Sequence, residues 1–319
     1  MHNNDKQSLI IIAGPTAVGK TRLSIELAKS INASIISADS MQVYKHMDIG
    51  SAKVTKEEMQ GIKHYLIDEL EPEEEFNIAT FKYLAKNDIE YIKKDGKIPI
   101  IAGGTGFYIQ ALLYDINFDA DANKSNEIRD RLDNLRVTKG NEYVHNMLKE
   151  IDKKAANDIH PNNVKRVIRA LEYYYLTGNK ISEHNEAERI KESPYNFKYF
   201  VINEDRSLLY KNIDKRVDIM IENGLVDEVK MLKDRGLTKE HTSMQGLGYK
   251  EILTYLNNEV SLEEAVYIIK RDTRHFAKRQ LTWFKREKDV IWINKEDFSF
   301  DDNKIIEYMK EQLKGAGII

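Results

Sequence analysis

One segment limits the possible folds of this chain more than any other, and it reads Gly14-Pro15-Thr16-Ala17-Val18-Gly19-Lys20-Thr21. It matches the pattern G-x-x-x-x-G-K-[ST] between the apolar run 9–13 and the helix-compatible residues 21–28. Such a loop points backbone N–H groups at an anion, and the following helix adds its positive end. Lys20 supplies a cation, and Thr21 can hold a magnesium ion beside the phosphates. The segment therefore predicts a diphosphate or triphosphate site within an α/β fold.

The composition excludes several other classes of protein. The chain has 319 residues, of which 41% are hydrophobic and 32% charged, and no apolar run reaches the length of a membrane span. Residues 1–6 lack the features of a signal peptide, so we expect a cytoplasmic protein with no membrane partner. Because the chain has no cysteine, disulfides, thiolate catalysis and cysteine-based zinc sites are excluded. The net charge of -3 still permits a nucleic-acid partner, since phosphate affinity depends on local patches.

Apolar runs alternate with helical patterns along most of the chain. The apolar runs predict strands at 9–13, 33–38, 64–68, 97–102, 199–202 and 290–293. The spacing of apolar residues predicts helices at 78–94, 206–222, 225–235, 261–286 and 303–314. This alternation indicates a mostly parallel, doubly wound sheet of the P-loop NTPase-like α/β type. Because ligands collect at the carboxyl ends of such strands, the phosphate loop, Asp39 and Thr105 should share one edge of the sheet.

The strand signal disappears between residues 116 and 198. Polar, helix-prone segments take its place at 125–137, 141–151 and 163–177. We therefore expect two parts with different architectures in this chain. They are a catalytic core, formed by residues 1–115 plus 199–319, and an all-helical insertion domain, formed by residues 116–198.

Asp39 directly follows the second predicted strand, and three roles are open to it. It can cap the next helix, belong to the shell of a magnesium ion, or act as a general base toward an acceptor. The turn Gly103-Gly104-Thr105-Gly106 is either an ordinary link between strand and helix or a source of donors for a departing diphosphate. The strand before it carries no terminal acidic residue of the kind with which ATPases bind magnesium. ATP hydrolysis is therefore disfavoured as the main activity.

Two basic segments bear on the nature of the partner. Residues 270–288 contain eight lysines and arginines but only two acidic residues, with Trp283 and Phe284 among them. Residues 160–169 form the second basic segment, in which Arg166 and Arg169 are neighbours one helical turn apart. Each segment is either a solvated helix face or a surface that binds nucleic acid.

Five segments of this chain can be compared as a set with known families. They are residues 14–21, residues 39–53, Gly103-Gly104-Thr105-Gly106-Phe107-Tyr108, residues 160–172 and residues 277–284. Together they closely resemble the bacterial tRNA dimethylallyltransferase family, over nearly the whole chain. The resemblance implies transfer of the dimethylallyl group of dimethylallyl diphosphate to the N6 amine of the adenosine beside the anticodon, with release of diphosphate. It makes Asp39 the catalytic base, gives Thr105 and Arg216 to the diphosphate, and implies Mg2+ as the cofactor.

The resemblance also implies a partner, the anticodon stem-loop of tRNA, which a monomer would bind through the insertion and the basic helix. The implied RNA contacts are Asp39, Ser40, Met41, Gln42, Thr105, Arg129, Asn162, Asn163, Val164, Lys165, Arg166, Gln245, Gly246, Leu247, Gly248, Tyr249, Lys250, Lys278, Arg279, Gln280, Trp283 and Arg286. Two other functions are compatible with the phosphate loop: a small-molecule or nucleotide kinase, and a non-enzymatic P-loop RNA-binding switch. The sequence leaves open whether ATP competes for the loop.

Overall fold

The computed structural model describes residues 6–116 and 122–319, without the side chains of residues 122–125 and 189. The chain forms two compact units, Met1–Leu113 with Pro194–Ile319, and Tyr114–Ser193. Residues 1–5 and 117–121 of the predicted domains lie outside the described chain. The sequence places the second border at 199 instead of 194, because the polar residues Asn196 and Lys198 interrupt the apolar run at the start of the strand.

In the described residues, six strands form one sheet, and every neighbouring pair is parallel. The strands are β1 (Gln7–Ala13), β2 (Ala33–Ser37), β3 (His64–Tyr65), β4 (Ile98–Gly103), β5 (Tyr195–Asn203) and β6 (Val290–Asn294). Their order across the sheet is β3-β2-β4-β1-β5-β6. The strand order reverses at β1, which is where an open α/β sheet forms a crevice for a ligand. The predicted parallel α/β sheet is thus confirmed.

Helices make up most of the remaining chain. Those before the second unit are α1 (Lys20–Ile31), α2 (Lys56–Met59), α3 (Ile78–Lys94) and α4 (Gly106–Leu113). Those of the second unit are α5 (Ala122–Lys139), α6 (Asn141–Ile151), α7 (Lys153–Asp158), α8 (Val164–Thr177) and α9 (Ile181–Arg189). Those after it are α10 (Arg206–Glu222), α11 (Leu225–Asp234), α12 (Tyr249–Leu256), α13 (Leu262–Phe284) and α14 (Asp302–Gly315).

The first unit is built around β1, which is buried on both faces. Ile10 and Ile12 pack in one cluster with apolar side chains from α1, α10 and α14. Leu9 and Ile11 point to the opposite face and are equally inaccessible to water. Full burial of each such side chain stabilises the folded state by about 1.5–3 kcal/mol. This strand is therefore a rigid base for the loop that follows.

The second unit has a small apolar core of its own. Its buried members are Leu132, Val144, Leu148, Ala155, Ala156, Val167, Ala170 and Leu171, from α5 to α8. The buried carboxylate of Asp152 accepts hydrogen bonds from the N–H of Ala155 at 3.0 Å and the N–H of Ser182 at 2.9 Å, which ties α7 to α9. Where this unit is described, it contains helices and loops without a strand.

One expectation about local structure is wrong. The predicted strand at 64–68 ends after Tyr65, because Leu66 and Asp68 have left-handed backbones with φ of 59° and 56°. The sequence pattern makes no prediction for helices α4 and α12, since each is only eight residues long and begins beside glycines. None of the helices in the described chain combines the length and the apolar character that crossing a bilayer requires.

Candidate active site

A cavity of about 100 Å³ lies at the carboxyl ends of β1, β2 and β4. It is lined by Thr16, Lys20, Thr21, Ser24, Ile35, Ser37, Asp39, Gln42, Ser51, Val54, His64, Ile67, Ala102, Gly103, Gly104, Arg216, Phe276 and Gln280. Charged groups share the cavity with the apolar side chains of Ile35, Val54 and Ile67. The site therefore suits a ligand with a charged head and a short apolar group.

Two cations line this cavity, Lys20 at the start of α1 and Arg216 in α10. Burial and the charge of Arg216 lower the pKa of Lys20 to about 7, although the Asp39 carboxylate opposes the shift. Burial likewise lowers the pKa of Arg216, again against the effect of Asp39. Nζ of Lys20 donates to the carbonyl of Pro15 at 2.7 Å, within the phosphate loop. The charge of Arg216 thus disfavours the charge of Lys20 in a partly buried site, and a bound anion would stabilise both cations.

Asp39 lies two residues beyond β2, and one of its oxygens is already engaged. Oδ1 accepts the backbone N–H of Met41 at 2.9 Å, which closes a tight turn. No helix begins until Lys56, so the interpretation of Asp39 as a helix cap is wrong. Its charge acts on both Lys20 and Arg216, which places the carboxylate beside the cationic part of the cavity. A general base and a magnesium-shell ligand remain as roles for this position.

The turn after β4 lies directly against the end of β2. A Cβ atom on Gly103 would stand 2.3 Å from the carbonyl oxygen of Ala38, so only glycine permits this approach. The N–H of Thr105 donates to the same carbonyl at 3.3 Å, and the carbonyl of Thr105 begins α4 by accepting from Tyr108 at 2.9 Å. Phosphate loop, Asp39 and Thr105 therefore share one edge of the sheet, as predicted. Among the described residues, Gly103 and Gly104 line the cavity, whereas Thr105 does not.

Gln280 in α13 connects the phosphate loop to this turn. Its Oε1 accepts the N–H of Thr16 at 2.9 Å, and its Nε2 donates to the carbonyl of Gly104 at 2.9 Å. The side chain is only 7% exposed, so both hydrogen bonds are shielded from water. A contact between Gln280 and RNA stays a prediction, and the structure adds a bracing role that the sequence did not indicate.

Comparison with known proteins identifies the family. The family model described as IPP transferase matches residues 42–287 of this chain. The chain belongs to the IPP transferase family. It is 60% identical over 304 residues to the tRNA dimethylallyltransferase of Lachnoclostridium phytofermentans, which covers 95% of this chain and 97% of the relative. It is 55% identical over 311 residues to the tRNA dimethylallyltransferase of Acetivibrio thermocellus, covering 98% and 99%.

A solved structure agrees with this family assignment. The full-length tRNA isopentenylpyrophosphate transferase of Bacillus halodurans is 43% identical, with a TM-score of 0.73, and the match covers 98% of each chain. The relative therefore has counterparts for nearly all of this chain, the phosphate loop and the second unit included.

In this IPP transferase the predicted RNA contacts of the second unit cluster at the start of α8. Asn162, Asn163, Lys165 and Arg166 are exposed there. Arg129 behaves differently, because it donates to the fully buried carboxylate of Glu172 at 3.0 Å while half of its side chain stays exposed. These residues present amide and cationic groups, which are the donors that phosphate oxygens require. Their contact with tRNA stays a prediction.

The basic segment of α13 divides into two parts. Lys270 and Arg274 form ion pairs with Asp218 and Asp214 of α10, each at 2.5 Å, and Arg271 pairs with Asp272 at 2.8 Å. The first part of the basic segment therefore packs α13 onto α10 and does not form a continuous basic surface. Of the remaining predicted contacts, Lys278 and Arg279 are exposed on the second part of α13, Trp283 is half-buried, and Arg286 is exposed just after the helix. Their contact with RNA stays a prediction.

Half of the predicted RNA-contacting segment 245–250 is inside the protein, whereas Gln245 is exposed. Gly246, Gly248 and Tyr249 are buried, and Lys250 pairs with Glu251 at 3.4 Å. The hydroxyl of Tyr249 donates to Oε1 of Glu228 at 2.7 Å. Glu228 is not predicted as a functional residue from the sequence, because acidic residues are common in the first turn of a helix, where they interact with the helix dipole.

Proposed function

We propose that this chain transfers the dimethylallyl group of dimethylallyl diphosphate to the N6 amine of the tRNA adenosine adjacent to the anticodon. One observation carries the proposal: Asp39 lines the same cavity as the phosphate loop, Lys20 and Arg216. The cavity thus combines a site for a diphosphate with a carboxylate that can accept a proton. The names of the relatives support the same reaction.

The donor would bind through its diphosphate. Backbone N–H groups of the phosphate loop, Lys20 and Arg216 would hold the anion, while Ile35, Val54 and Ile67 offer apolar surface to the dimethylallyl group. During transfer the C–O bond breaks and its electron pair goes to the diphosphate oxygen. The cations stabilise the charge that develops on this oxygen, which is the main requirement for ionisation of an allylic carbon.

The acceptor would use Asp39. The lone pair of the adenosine amine forms the new C–N bond, and the amine proton passes to the carboxylate as the bond forms. A carboxylate is too weak a base to ionise an amine beforehand, so the proton moves with bond formation and later leaves to water. An adenosine in a loop is also easier to unstack than one in a duplex, which suits an anticodon loop as substrate.

Magnesium fits the oxygen donors at this site. Thr21, the last residue of the phosphate-loop pattern, lines the cavity and carries a hydroxyl that can bind the ion. In the part of the chain that is described, no group of three or more acidic or histidine side chains could hold a metal. From the phosphate-loop pattern we assign Thr21 as a protein ligand and take further ligands from the diphosphate and water. When bound, the ion would neutralise part of the charge on the leaving diphosphate.

The tRNA would be held by the exposed cationic residues at the start of α8 and in the second part of α13. We take the enzyme to act as a cytoplasmic monomer, because its acceptor is a tRNA and each unit supplies its own candidate contacts. A kinase is the competing function, since it too places a phosphate loop near a carboxylate. A kinase is disfavoured because β4 ends at Gly103 and is followed by Gly104, where a metal-binding acidic residue would be needed.

The experiment is a direct test of the substrates. Purified protein is incubated with Mg2+, unmodified tRNA and dimethylallyl diphosphate, and nucleosides from the digested tRNA are analysed by mass spectrometry. We expect N6-dimethylallyladenosine beside the anticodon and release of diphosphate. Parallel incubations replace dimethylallyl diphosphate with ATP. Phosphate transfer from ATP without any prenylated nucleoside would support the kinase instead.

A further inference from the structure

Glu228 in α11 binds three successive backbone N–H groups of the loop that follows the Asp39 turn. Its Oε2 accepts from Asp48 at 2.9 Å and from Ile49 at 2.8 Å. Its Oε1 accepts from Gly50 at 3.1 Å and from the hydroxyl of Tyr249 at 2.7 Å. Hydrogen bonds to a charged acceptor are about twice as strong as neutral ones, so this carboxylate is a firm anchor for the loop.

Tyr249 supplies a second anchor at the same place. Its hydroxyl accepts the N–H of Ser51 at 3.2 Å while it donates to Glu228. Its ring lies so close to Gly50 that a Cβ atom there would stand 2.6 Å from ring carbons. Burial and the Glu228 carboxylate raise the pKa of Tyr249 well above its ordinary value, so the hydroxyl remains a donor. The two side chains together bind four consecutive residues, 48–51.

The anchored loop is in turn bonded to the cavity. Nε2 of Gln42 donates to the carbonyls of Ser51 at 3.5 Å and Ala52 at 3.3 Å. Oε1 of Gln42 accepts the hydroxyl of Ser37 at 3.2 Å. Gln42 and Ser51 both line the cavity, and Gln42 lies three residues after Asp39. A continuous series of hydrogen bonds therefore runs from Glu228 to the wall of the active site.

This series matters because residues 38–55 contain no helix or strand of their own. An irregular segment of this length loses about 1–2 kcal/mol of backbone entropy per residue when it is fixed, so it needs contacts from outside. Strand β2 and backbone hydrogen bonds between residues 42–45 and 68–70 hold the first part of the segment, and Glu228 with Tyr249 holds residues 48–51. Without these two anchors, residues 51 and 52 would lose the fixed position from which their carbonyls bind the side chain of Gln42.

We propose that Glu228 and Tyr249 are positioning residues that hold Asp39 and Gln42 in place for the acceptor. This inference rests on the proposed function, and it separates the acceptor side of the cavity from the phosphate loop. The phosphate loop is fixed by β1, α1 and Gln280, and it has no part in the Glu228 hydrogen bonds. Loss of either anchor should therefore impair the transfer step and leave diphosphate binding intact.

The test compares Glu228→Gln and Tyr249→Phe with Asp227→Asn, a control one residue away on the exposed side of α11. We expect kcat per folded site to fall about tenfold to a hundredfold in the two anchor variants, as a small misplacement of a reacting group does. The affinity for inorganic pyrophosphate, which depends on the phosphate loop and the two cations, should stay near the wild-type value. Asp227→Asn should behave as wild type. Wild-type kcat in both anchor variants overturns the proposal.

Hydrogen exchange gives a second result that does not depend on activity. In the anchor variants, amide exchange should accelerate in peptides that cover residues 47–53 and also in peptides that cover residues 40–46. A purely local role would accelerate only the first group, and that outcome also overturns the proposal. If wild-type protein does not prenylate tRNA, the proposed function fails, and exchange in residues 40–46 alone decides the positioning role. If Glu228→Gln does not fold, the smaller change Tyr249→Phe decides both measurements.

Discussion

The backbone N–H of Thr16 donates a hydrogen bond of 2.9 Å to the side chain of Gln280. Thr16 belongs to the phosphate loop, whereas Gln280 lies 264 residues later in α13, so a helix far along the chain fixes the loop. The same amide donates to the carbonyl of Gly104. The phosphate loop and the turn after β4 are therefore held at a constant distance by one side chain.

Replacing Gln280 with Leu should weaken both the fold and the use of the donor. The partly buried N–H of Thr16 and the buried carbonyl of Gly104 would lose their partner, which lowers the free energy of unfolding by about 1–3 kcal/mol. The KM for dimethylallyl diphosphate should rise, because the phosphate loop becomes less ordered. Urea denaturation and steady-state kinetics measure the two effects, with His275→Ala on the exposed side of α13 as the control. A stable Gln280→Leu variant with unchanged KM would show that the bridge is dispensable.

A methyl group at Gly103 should separate the turn after β4 from β2. The new Cβ atom would stand 2.3 Å from the carbonyl of Ala38, next to Asp39, so the strand ends must move apart. Overpacking of this kind costs about 1–3 kcal/mol of the free energy of unfolding. Gly315→Ala is the matched control, since a Cβ there meets no atom within 4 Å. If both alanine variants have the same urea midpoint and activity, the close approach at Gly103 is not needed.

The lowered pKa of Lys20 should make both the stability of the protein and the binding of the donor depend on pH. Its pKa is lowered from 10.5 to about 7 by burial and Arg216, so the unfolded chain binds more protons between these pH values. Stability should therefore rise with pH across this window: the unfavourable contribution of Lys20 is complete below pH 7 and absent above pH 10.5. A bound diphosphate opposes the shift by favouring the charged amine.

Proton uptake provides the measurement. At pH 8, binding of inorganic pyrophosphate should take up close to one proton at Lys20, because the anion raises the lysine pKa. Calorimetry in two buffers of different ionisation enthalpy gives the number of protons. Lys20→Met at saturating ligand supplies the contribution of pyrophosphate itself. Equal uptake by the wild type and Lys20→Met would contradict the assignment of the proton to Lys20.

The exposed pair Lys165 and Arg166 should contribute to tRNA affinity through phosphates. Replacing both with Ala removes two cations, so tRNA binding should weaken and the slope of log affinity against log salt should become shallower by about one to two. Lys149→Ala with Lys153→Ala removes the same charge from exposed positions elsewhere in the second unit. Filter binding over a salt series distinguishes the two double variants. Equal affinity and slope for both would remove α8 from the RNA interface.

The sheet and one edge of the candidate site could be predicted from the sequence. Buried parallel strands are continuous apolar runs, and the phosphate loop is a local pattern, so β1, β2, β4 and the position of Asp39 followed directly. The borders of β5 and β3 did not follow. Residues 195–199 at the start of β5 alternate apolar and polar side chains, a different pattern from the continuous apolar run that predicts residues 199–202. Strand β3 ends at residues with left-handed backbones, which the pattern of apolar residues does not indicate.

The contacts between distant segments could not be predicted from the sequence. The role of Gln280 depends on α13 passing over the phosphate loop, and the role of Glu228 depends on a loop that lies 180 residues earlier in the chain. No periodicity encodes such pairs. Likewise, the charges of Lys270 and Arg274 resembled a nucleic-acid surface until the structure placed Asp218 and Asp214 of α10 beside them. Charge patterns identify cations, but only the fold shows which of them are paired.

The central claim is that Asp39 accepts the proton of the adenosine amine. Asp39→Asn keeps an oxygen that can accept the N–H of Met41, so the turn should be preserved while the proton acceptor is lost. The decisive measurement is the single-turnover rate of prenylation with saturating tRNA and dimethylallyl diphosphate. We predict a fall of about a hundredfold to ten-thousandfold, with tRNA and pyrophosphate affinities nearly unchanged. An Asn variant that prenylates tRNA at the wild-type rate would contradict the account and return Asp39 to a structural or magnesium-shell role.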